Sequence, residues 1–362
     1  MRVIIAGGGT GGHIFPAVAI AHALQRLQPD TELLFVGALG KMEMEKVPQE
    51  GFKIVGLDIA GFNRSNMLKN LMLPFKIFKS HLKAKSIIKE FQPNAVVGVG
   101  GFASFPMLNA AQSMGVPTLV QEQNSYAGKS NKILGKKAKA VCVAYEHMEK
   151  FFPADKLILA GNPVRKVISG STVSRSEGQA FFKLDPNRKT ILIVGGSLGA
   201  KSINEAIDAG LADLTKGDVQ LVWQTGKPYF EQAKKAAEPY GDKVRVFEFI
   251  RDMDKAYAAA DMIVSRAGAL AIAEMCIAAK PVIFVPYPYA AEDHQTSNAM
   301  ALVEHNAAQM VKDNETKTEL VKKIKALLHN ASMQEIMQQS LKKMAIKDAD
   351  ERIAAKIIEI AA

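Results

Sequence analysis

The stretch Arg2–His13, RVIIAGGGTGGH, decides the fold. Its apolar, β-branched start reads as a buried parallel strand, and the following Pro16–Leu27 has the pattern of an amphipathic helix. The glycine run between them, Gly7–Gly12, is a turn that lets backbone approach a diphosphate closely. The helix behind it would supply free N–H groups and a favourable dipole.

The same alternation runs outward from this point. Glu32–Gly37, Ala95–Val99, Thr118–Gln121 and Ala140–Val143 read as further buried strands, with Leu82–Phe91 among the helices between them. This is a doubly wound α/β half. The pattern weakens over the polar stretch Lys166–Arg188 and restarts at Thr190–Val194. Gln220–Gln224, Val244–Phe247, Met262–Ser265 and Pro281–Val285 continue it. The sequence therefore predicts two Rossmann-like domains in tandem, residues 1–163 and 164–335, with a C-terminal helical segment 336–362 packing back on the first.

A chain of 362 residues exceeds what one hydrophobic core usually serves, which agrees with two domains. Hydrophobic residues make up 48% and charged residues 23%, a globular balance. The formal net charge of +10 favours a polyanion as partner, whether nucleic acid, anionic membrane or phosphorylated substrate, unless it only keeps the surface soluble. Cys142 and Cys276 are too few for a disulfide framework and have no zinc-site spacing, so a reducing compartment is expected. Glycines and His13 interrupt the apolar N-terminal stretch, which has no continuous signal-peptide core, and no run reaches the ~18–20 apolar residues of a membrane span. These features predict a cytoplasmic protein that touches a membrane at most.

Two more strands end in glycine turns, Gly98–Gly101 (GVGG) and Gly195–Gly199 (GGSLG). Any one such loop could be an unliganded tight turn; three at strand ends favour binding. The first loop contains the dinucleotide fingerprint at Gly7, Gly9 and Gly12. A dehydrogenase would end its second strand with a ribose-binding acid, whereas here that strand ends Val36-Gly37-Ala38. His13, at the helix start, is either a cap or a general base. In the second half, Glu274 follows the Arg266–Ala269 turn by about a turn and a half of helix, where a carboxylate suits the two hydroxyls of a ribose. The polar loop Tyr287–Asn298 brings Gln295 to the same strand ends, suited to a sugar.

Taken in order, GGGTGGHIFPAVAIA, GVGGFASFP, QEQNSYAGKSNKIL, GNPVR, GGSLGA, SRAGALAIAE and EDHQTSNA resemble the MurG family, the N-acetylglucosaminyltransferases of peptidoglycan synthesis. The resemblance runs from residue 2 to about residue 310. It implies the GT-B architecture, two Rossmann-like domains facing across a cleft. It also implies an inverting transfer of GlcNAc from UDP-GlcNAc to the 4-hydroxyl of MurNAc in lipid I, giving lipid II and UDP for the cell wall, and with it a role in cell shape and division. UDP would lie mainly in the second domain, with Ile250 on uracil, Glu274 on ribose, and Ser197 and its glycine turn on the diphosphate. Ala269, Leu270, Ala271, Ile272 and Ala273 would shape the same wall, and Gln295 would hold GlcNAc hydroxyls. From the first domain Thr10, Gly11, Gly12, Asn124 and Arg165 would reach the donor, while Gly7–Gly12 and Gly98–Gly101 would receive the acceptor diphosphate.

For the base, His13 is the first choice and Glu122 the second. Backbone N–H groups and a helix dipole suffice for the leaving UDP, so no metal or other cofactor is expected. The nearest D-x-D pattern, Asp252-Met253-Asp254, reads as a helix start instead. His294 precedes Gln295 but is not assigned to catalysis.

The segment Met67–Phe91 gives the positive charge a place to act. Leu68, Leu71, Phe75, Phe78 and Leu82 follow helical spacing beside Lys69, Lys76, Lys79 and Lys83, with Pro74 beginning or kinking the helix. On residues alone this is an ordinary amphipathic helix. With a lipid-linked acceptor implied, it becomes a contact for an anionic leaflet on the cytoplasmic face of the inner membrane. Nucleic acid is then not expected. A UDP-GlcNAc 2-epimerase, which also has two Rossmann-like halves, and a nucleotide-dependent binding protein or dehydrogenase are the alternatives.

Overall fold

The computed structural model describes residues 1–59, 73–196 and 198–362, and the chain forms two compact units. Unit one comprises residues 1–165 and 348–362, and unit two residues 166–347.

Unit one is built on a seven-stranded parallel sheet. Its strands are β1 (Arg2–Ala6), β2 (Glu32–Ala38), β3 (Ile54–Leu57), β4 (Ala95–Gly98), β5 (Thr118–Glu122), β6 (Ala140–Val143) and β7 (Leu157–Leu159), in the order β3-β2-β1-β4-β5-β6-β7. Alternate residues of β1 enter different cores, as a period of two requires when helices cover both faces. Val3 and Ile5 pack with Ile14, Ile20 and Leu24; Ile4 and Ala6 pack with Val96, Met107 and Leu108.

Unit two has a six-stranded parallel sheet of β8 (Lys189–Val194), β9 (Val219–Gln224), β10 (Val244–Phe247), β11 (Met262–Ser265), β12 (Val282–Phe284) and β13 (Gln309–Met310). The order is β10-β9-β8-β11-β12-β13. Its core centres on Trp223, fully buried, whose indole donates to Asn204 Oδ1 at 3.0 Å.

In both sheets strand order reverses at the middle, between β1 and β4 and between β8 and β11. Ligands of open α/β sheets bind outside the carboxyl ends of strands at such a switch point. Gly7–Gly12 and Gly98–Gly101 follow β1 and β4, while Gly195–Gly199 and Arg266–Ala269 follow β8 and β11. Topology alone therefore gathers the sequence-predicted loops into one site per unit.

The predicted strands are present, and β3, β7 and β13 add to them. All three are sheet-edge strands of only four, three and two residues, too short to stand out as strands by pattern. The polar stretch after Lys166 contains a helix, Arg175–Phe181, opened by a reciprocal capping box. Ser174 Oγ accepts from Glu177 N–H at 3.3 Å, and the Glu177 carboxylate accepts from Ser174 N–H at 2.7 Å. Asp252 directly precedes helix Met253–Ala259, so the D-x-D pattern does start a helix.

The segment returning to unit one is shorter than 336–362. Helix Ala331–Met344 stays with unit two because Met337 and Leu341 are buried there, and the crossing comes between Lys347 and Asp348. Helix Ala349–Ala361 then packs along Gly11–Leu27, burying Ile353, Ala354 and Ile357, and Arg26 holds the buried carboxylate of Asp350 at 2.7 Å.

Cys142 and Cys276 are both buried free thiols, on opposite units, and burial pushes each up to about 12. At pH 8 a thiol with that value is roughly one part in 10⁴ thiolate. An aromatic disulfide reagent is expected to titrate neither cysteine in the native protein within minutes and both after denaturation. Rapid native reaction at either would contradict this burial.

Candidate active site

The glycine turn after β1 is held on three sides. Gly8 and Gly9 take φ values of +140° and +87°, which side chains rarely adopt. Gly8 N–H donates to Gly100 O at 3.2 Å, tying the first loop to the second. Gly101 lies so close that a methyl group there would sit 2.1 Å from Gly8 O. From the other side Glu43, only 1% exposed, accepts from Gly9 N–H at 2.7 Å and from Ala38 N–H at 2.9 Å.

His13 occupies the first turn of helix Gly11–Leu27, and its ring lies against Gly100. Nδ1 is 3.1 Å from Gly8 O and 3.3 Å from Thr10 Oγ1. A carbonyl oxygen only accepts, so Nδ1 carries the proton and the neutral ring has its lone pair on Nε2. That is the tautomer a base acting through Nε2 needs.

Glu122, at the end of β5, is 2% exposed and both its oxygens are engaged. Oε1 accepts from Asn124 N–H at 3.1 Å and its side-chain amide at 3.2 Å. Oε2 accepts from Gly128 N–H at 3.1 Å and Asn131 Nδ2 at 2.8 Å. These four donors make Glu122, the second candidate base, the organiser of the 123–131 loop. Asn124 is positioned by it. A buried amide network of Gln121, Gln123 and Asn162 joins this loop to β4 and to the GNPVR segment. Gln123 donates to Val99 O at 2.7 Å, and Asn162 donates to Gln123 O at 2.9 Å. Arg165 lies just beyond, exposed.

In unit two the β8 turn packs against the turn after β9. A methyl group on Gly199, at φ +75°, would lie 1.8 Å from Thr225 O. Gln224, at the end of β9, donates to Gly196 O at 3.0 Å and accepts from Ile250 N–H at 2.9 Å. Ile250, expected to contact uracil, is buried at the end of this network. Ser197 lies outside the described residues.

Helix Ala269–Ala278 starts at Gly268, around which an added methyl group would meet nothing within 4 Å. Its first-turn N–H groups have no acceptor within the helix, which suits a diphosphate. Ala269, Leu270, Ala271 and Ala273 are half-buried along the start of this helix, and Ile272 turns into the core. Glu274 accepts from Tyr257 OH at 2.8 Å, which fixes its carboxylate. Gln295 Oε1 accepts from Tyr287 N–H at 2.9 Å and closes the loop after β12. Within that loop Glu292 and Asp293 both take left-handed backbone, at φ +54° and +51°, an uncommon conformation stored before His294.

Thr10, Gly11, Gly12, His13 and Asn124 thus gather at the switch point of unit one, and Glu274, Gln295 and the Ala269 helix at that of unit two. Sequence reasoning missed Glu43, Gln224 and Arg266. Arg266 donates to Val285 O and Pro286 O at 3.1 Å each and pairs with Asp313, holding the strand ends together. It stood inside a quoted motif, whereas Glu43 and Gln224 gave no signal distinct from a helix acid and a strand terminus. Among the described residues no cluster of His, Cys, Asp and Glu is arranged to hold a metal.

Two doubly wound parallel-sheet units, each with glycine turns at its switch point, have the architecture of a sugar-nucleotide glycosyltransferase. The chain belongs to glycosyltransferase family 28, whose N-terminal domain matches residues 3–143 and whose C-terminal domain matches residues 190–353. A relative from Bacteroides thetaiotaomicron is 51% identical over 100% of this chain and 98% of its own length. One from Cytophaga hutchinsonii is 52% identical over 99% of this chain and 96% of its own. Both are named UDP-N-acetylglucosamine--N-acetylmuramyl-(pentapeptide) pyrophosphoryl-undecaprenol N-acetylglucosamine transferase. The crystal structure of MurG from Acinetobacter baumannii matches with a TM-score of 0.82 at 32% identity, over 99% of both chains. The resemblance to MurG thus holds along the whole chain. A UDP-GlcNAc 2-epimerase from Neisseria meningitidis matches with a TM-score of 0.68 at 16% identity, over 99% of this chain and 100% of its own, a likeness of fold alone.

Proposed function

We propose that this hexosyltransferase moves GlcNAc from UDP-GlcNAc to the 4-hydroxyl of MurNAc in the undecaprenyl-linked acceptor, lipid I, with inversion, producing lipid II and UDP. The observation that carries the reading is His13, locked by Gly8 O into the tautomer that leaves Nε2 as acceptor. Nε2 takes the proton of the attacking hydroxyl while that oxygen displaces UDP at the anomeric carbon. The dipole and first-turn N–H groups at the start of helix Ala269–Ala278 offset charge on the departing diphosphate, so the reading requires no metal ion. Glu274 and Gln295 then serve ribose and GlcNAc hydroxyls, and the interlocked Gly7–Gly12 and Gly98–Gly101 loops serve the acceptor diphosphate.

The test is to mix the protein with UDP-GlcNAc and a short-chain lipid I analogue. UDP is expected only with acceptor present, in step with product. No release by folded protein would overturn the reading, and conversion of UDP-GlcNAc without acceptor would establish the epimerase instead.

Residues 73–91 of the expected membrane segment are described, as one helix, Leu73–Phe91, while 67–72, including Leu68, Lys69 and Leu71, lie outside the described residues. Phe75, Phe78 and Leu82 are 69%, 65% and 51% exposed, an apolar row on one side of this helix that suits a membrane contact. The basic stripe is less free than its spacing implies. Lys76 pairs with Asp58 at 2.9 Å, holding that carboxyl below its usual range, and Lys83 donates to Gly56 O at 2.9 Å. No helix among the described residues is long and apolar enough to cross a membrane. The reading is therefore peripheral attachment at the cytoplasmic face, through aromatic insertion more than through these two lysines. Phe78→Asp is expected to lower binding to phosphatidylglycerol vesicles at least about tenfold, from the burial lost by one aromatic side chain. Undiminished cosedimentation would remove this helix from the contact.

A further inference from the structure

Glu43 is the most deeply buried carboxylate beside the catalytic loops, and the mechanism above does not use it. It opens the helix Glu43–Gln49, a few residues past β2, and folds back under the β1 turn. Its two oxygens serve different stretches of backbone: Oε2 takes Gly9 N–H and Oε1 takes Ala38 N–H. Gly8 lies directly on the carboxylate, so that a methyl group at Gly8 would be 2.3 Å from Glu43 Cδ. Gly101 closes the opposite side of the same peptide. Gly8 O is the atom His13 Nδ1 binds.

We propose that Glu43 is a positioning residue for His13: by fixing the Gly8–Gly9 peptide it aims Gly8 O at Nδ1 and so determines which ring nitrogen carries the proton. Without that carbonyl the two neutral tautomers are close in energy, and a ring protonated on Nε2 cannot accept a proton there. The carboxylate needs both acceptors to do this. In Glu43→Gln the amide oxygen satisfies one backbone N–H, and the NH₂ group faces the other donor to donor, so one end of the clamp opens. The inference rests on His13 being the base, but its structural half, the tautomer, is measured without turnover.

The experiment is nitrogen NMR of protein labelled in its histidine rings, with His13→Gln identifying the resonances, alongside steady-state kinetics of Glu43→Gln and the shorter Glu43→Asp. Wild-type protein near pH 8 is expected to hold His13 as the Nδ1–H form. Both variants are expected to gain the Nε2–H form and to lose kcat by about 10- to 100-fold, the cost of small misplacement of a reacting group. The KM for UDP-GlcNAc should stay within about twofold, because a general structural weakening would move both constants. A tautomer shift with kcat unchanged upholds the positioning role and discards His13 as base. Loss of kcat with the ring spectrum unchanged overturns the proposal, as does an unchanged spectrum with unchanged rate. If neither variant folds, a wild-type ring mainly in the Nε2–H form overturns it as well.

Discussion

Replacing His13 with alanine is expected to lower turnover about 100-fold or more while leaving the protein folded, in the range that loss of a general base costs. Folding should survive because His13 is only half-buried and its ring meets the loop through hydrogen bonds to Gly8 and Thr10 rather than through the apolar core. Binding of UDP should survive because the residues assigned to the nucleotide lie in unit two, with its own sheet and core. The pattern to look for is thus a fall in kcat with UDP-induced thermal stabilisation intact. Turnover retained within a few-fold would move the base to Glu122, the second candidate, or elsewhere.

The second large effect is expected at Gly199→Ala. Only glycine tolerates φ +75° here without strain, and the added methyl group would meet Thr225 O at 1.8 Å. The backbone oxygen has nowhere to go, because Gly226 on the same turn is in turn packed on Leu198 O. The β8 and β9 turns must separate, taking with them the bond from Gln224 to Gly196 O and the one that holds Ile250 N–H. A residue forced into such backbone costs roughly 1–3 kcal/mol before any clash. The melting temperature of the second unit should drop, and KM for UDP-GlcNAc should rise about tenfold or more, in line with a lost binding surface of roughly 1.4 kcal/mol or more. An alanine variant with wild-type KM would mean that this turn does not support the donor site.

Much of this was readable in advance because parallel strands and glycine turns write themselves strongly in sequence. β1, β4, β8 and β11 are continuous β-branched runs followed at once by glycine or a short polar turn, and the switch-point rule turns that pattern into two sites. Motif likeness then supplied Glu274, Gln295 and His13. What escaped was long-range and polar. Whether an acid in a short helix after β2 points outward or folds under a loop depends on the register of a strand and the absence of a side chain at Gly8 and Gly37, which no local pattern encodes. β2 ends at Ala38 without an acid, yet an acid does press on the loop, from Glu43. Glu122 shows the same limit: its motif is legible, but the four donors gathered around its carboxylate are not written in the local sequence. The return point at residue 348 escaped because helix 331–344 and helix 349–361 are both amphipathic, and only packing says which core each one completes.

That return has a consequence for the order in which the protein is made. Unit two is inserted within unit one, entered after Arg165 and left after Lys347. A ribosome therefore makes every residue of unit two before it makes the helix whose Ile353, Ala354 and Ile357 share a core with Ile14, Ile20 and Leu24. The unit begun first is the one whose core is completed last, and until residues 349–361 emerge the first unit waits with an apolar groove beside the helix that carries His13.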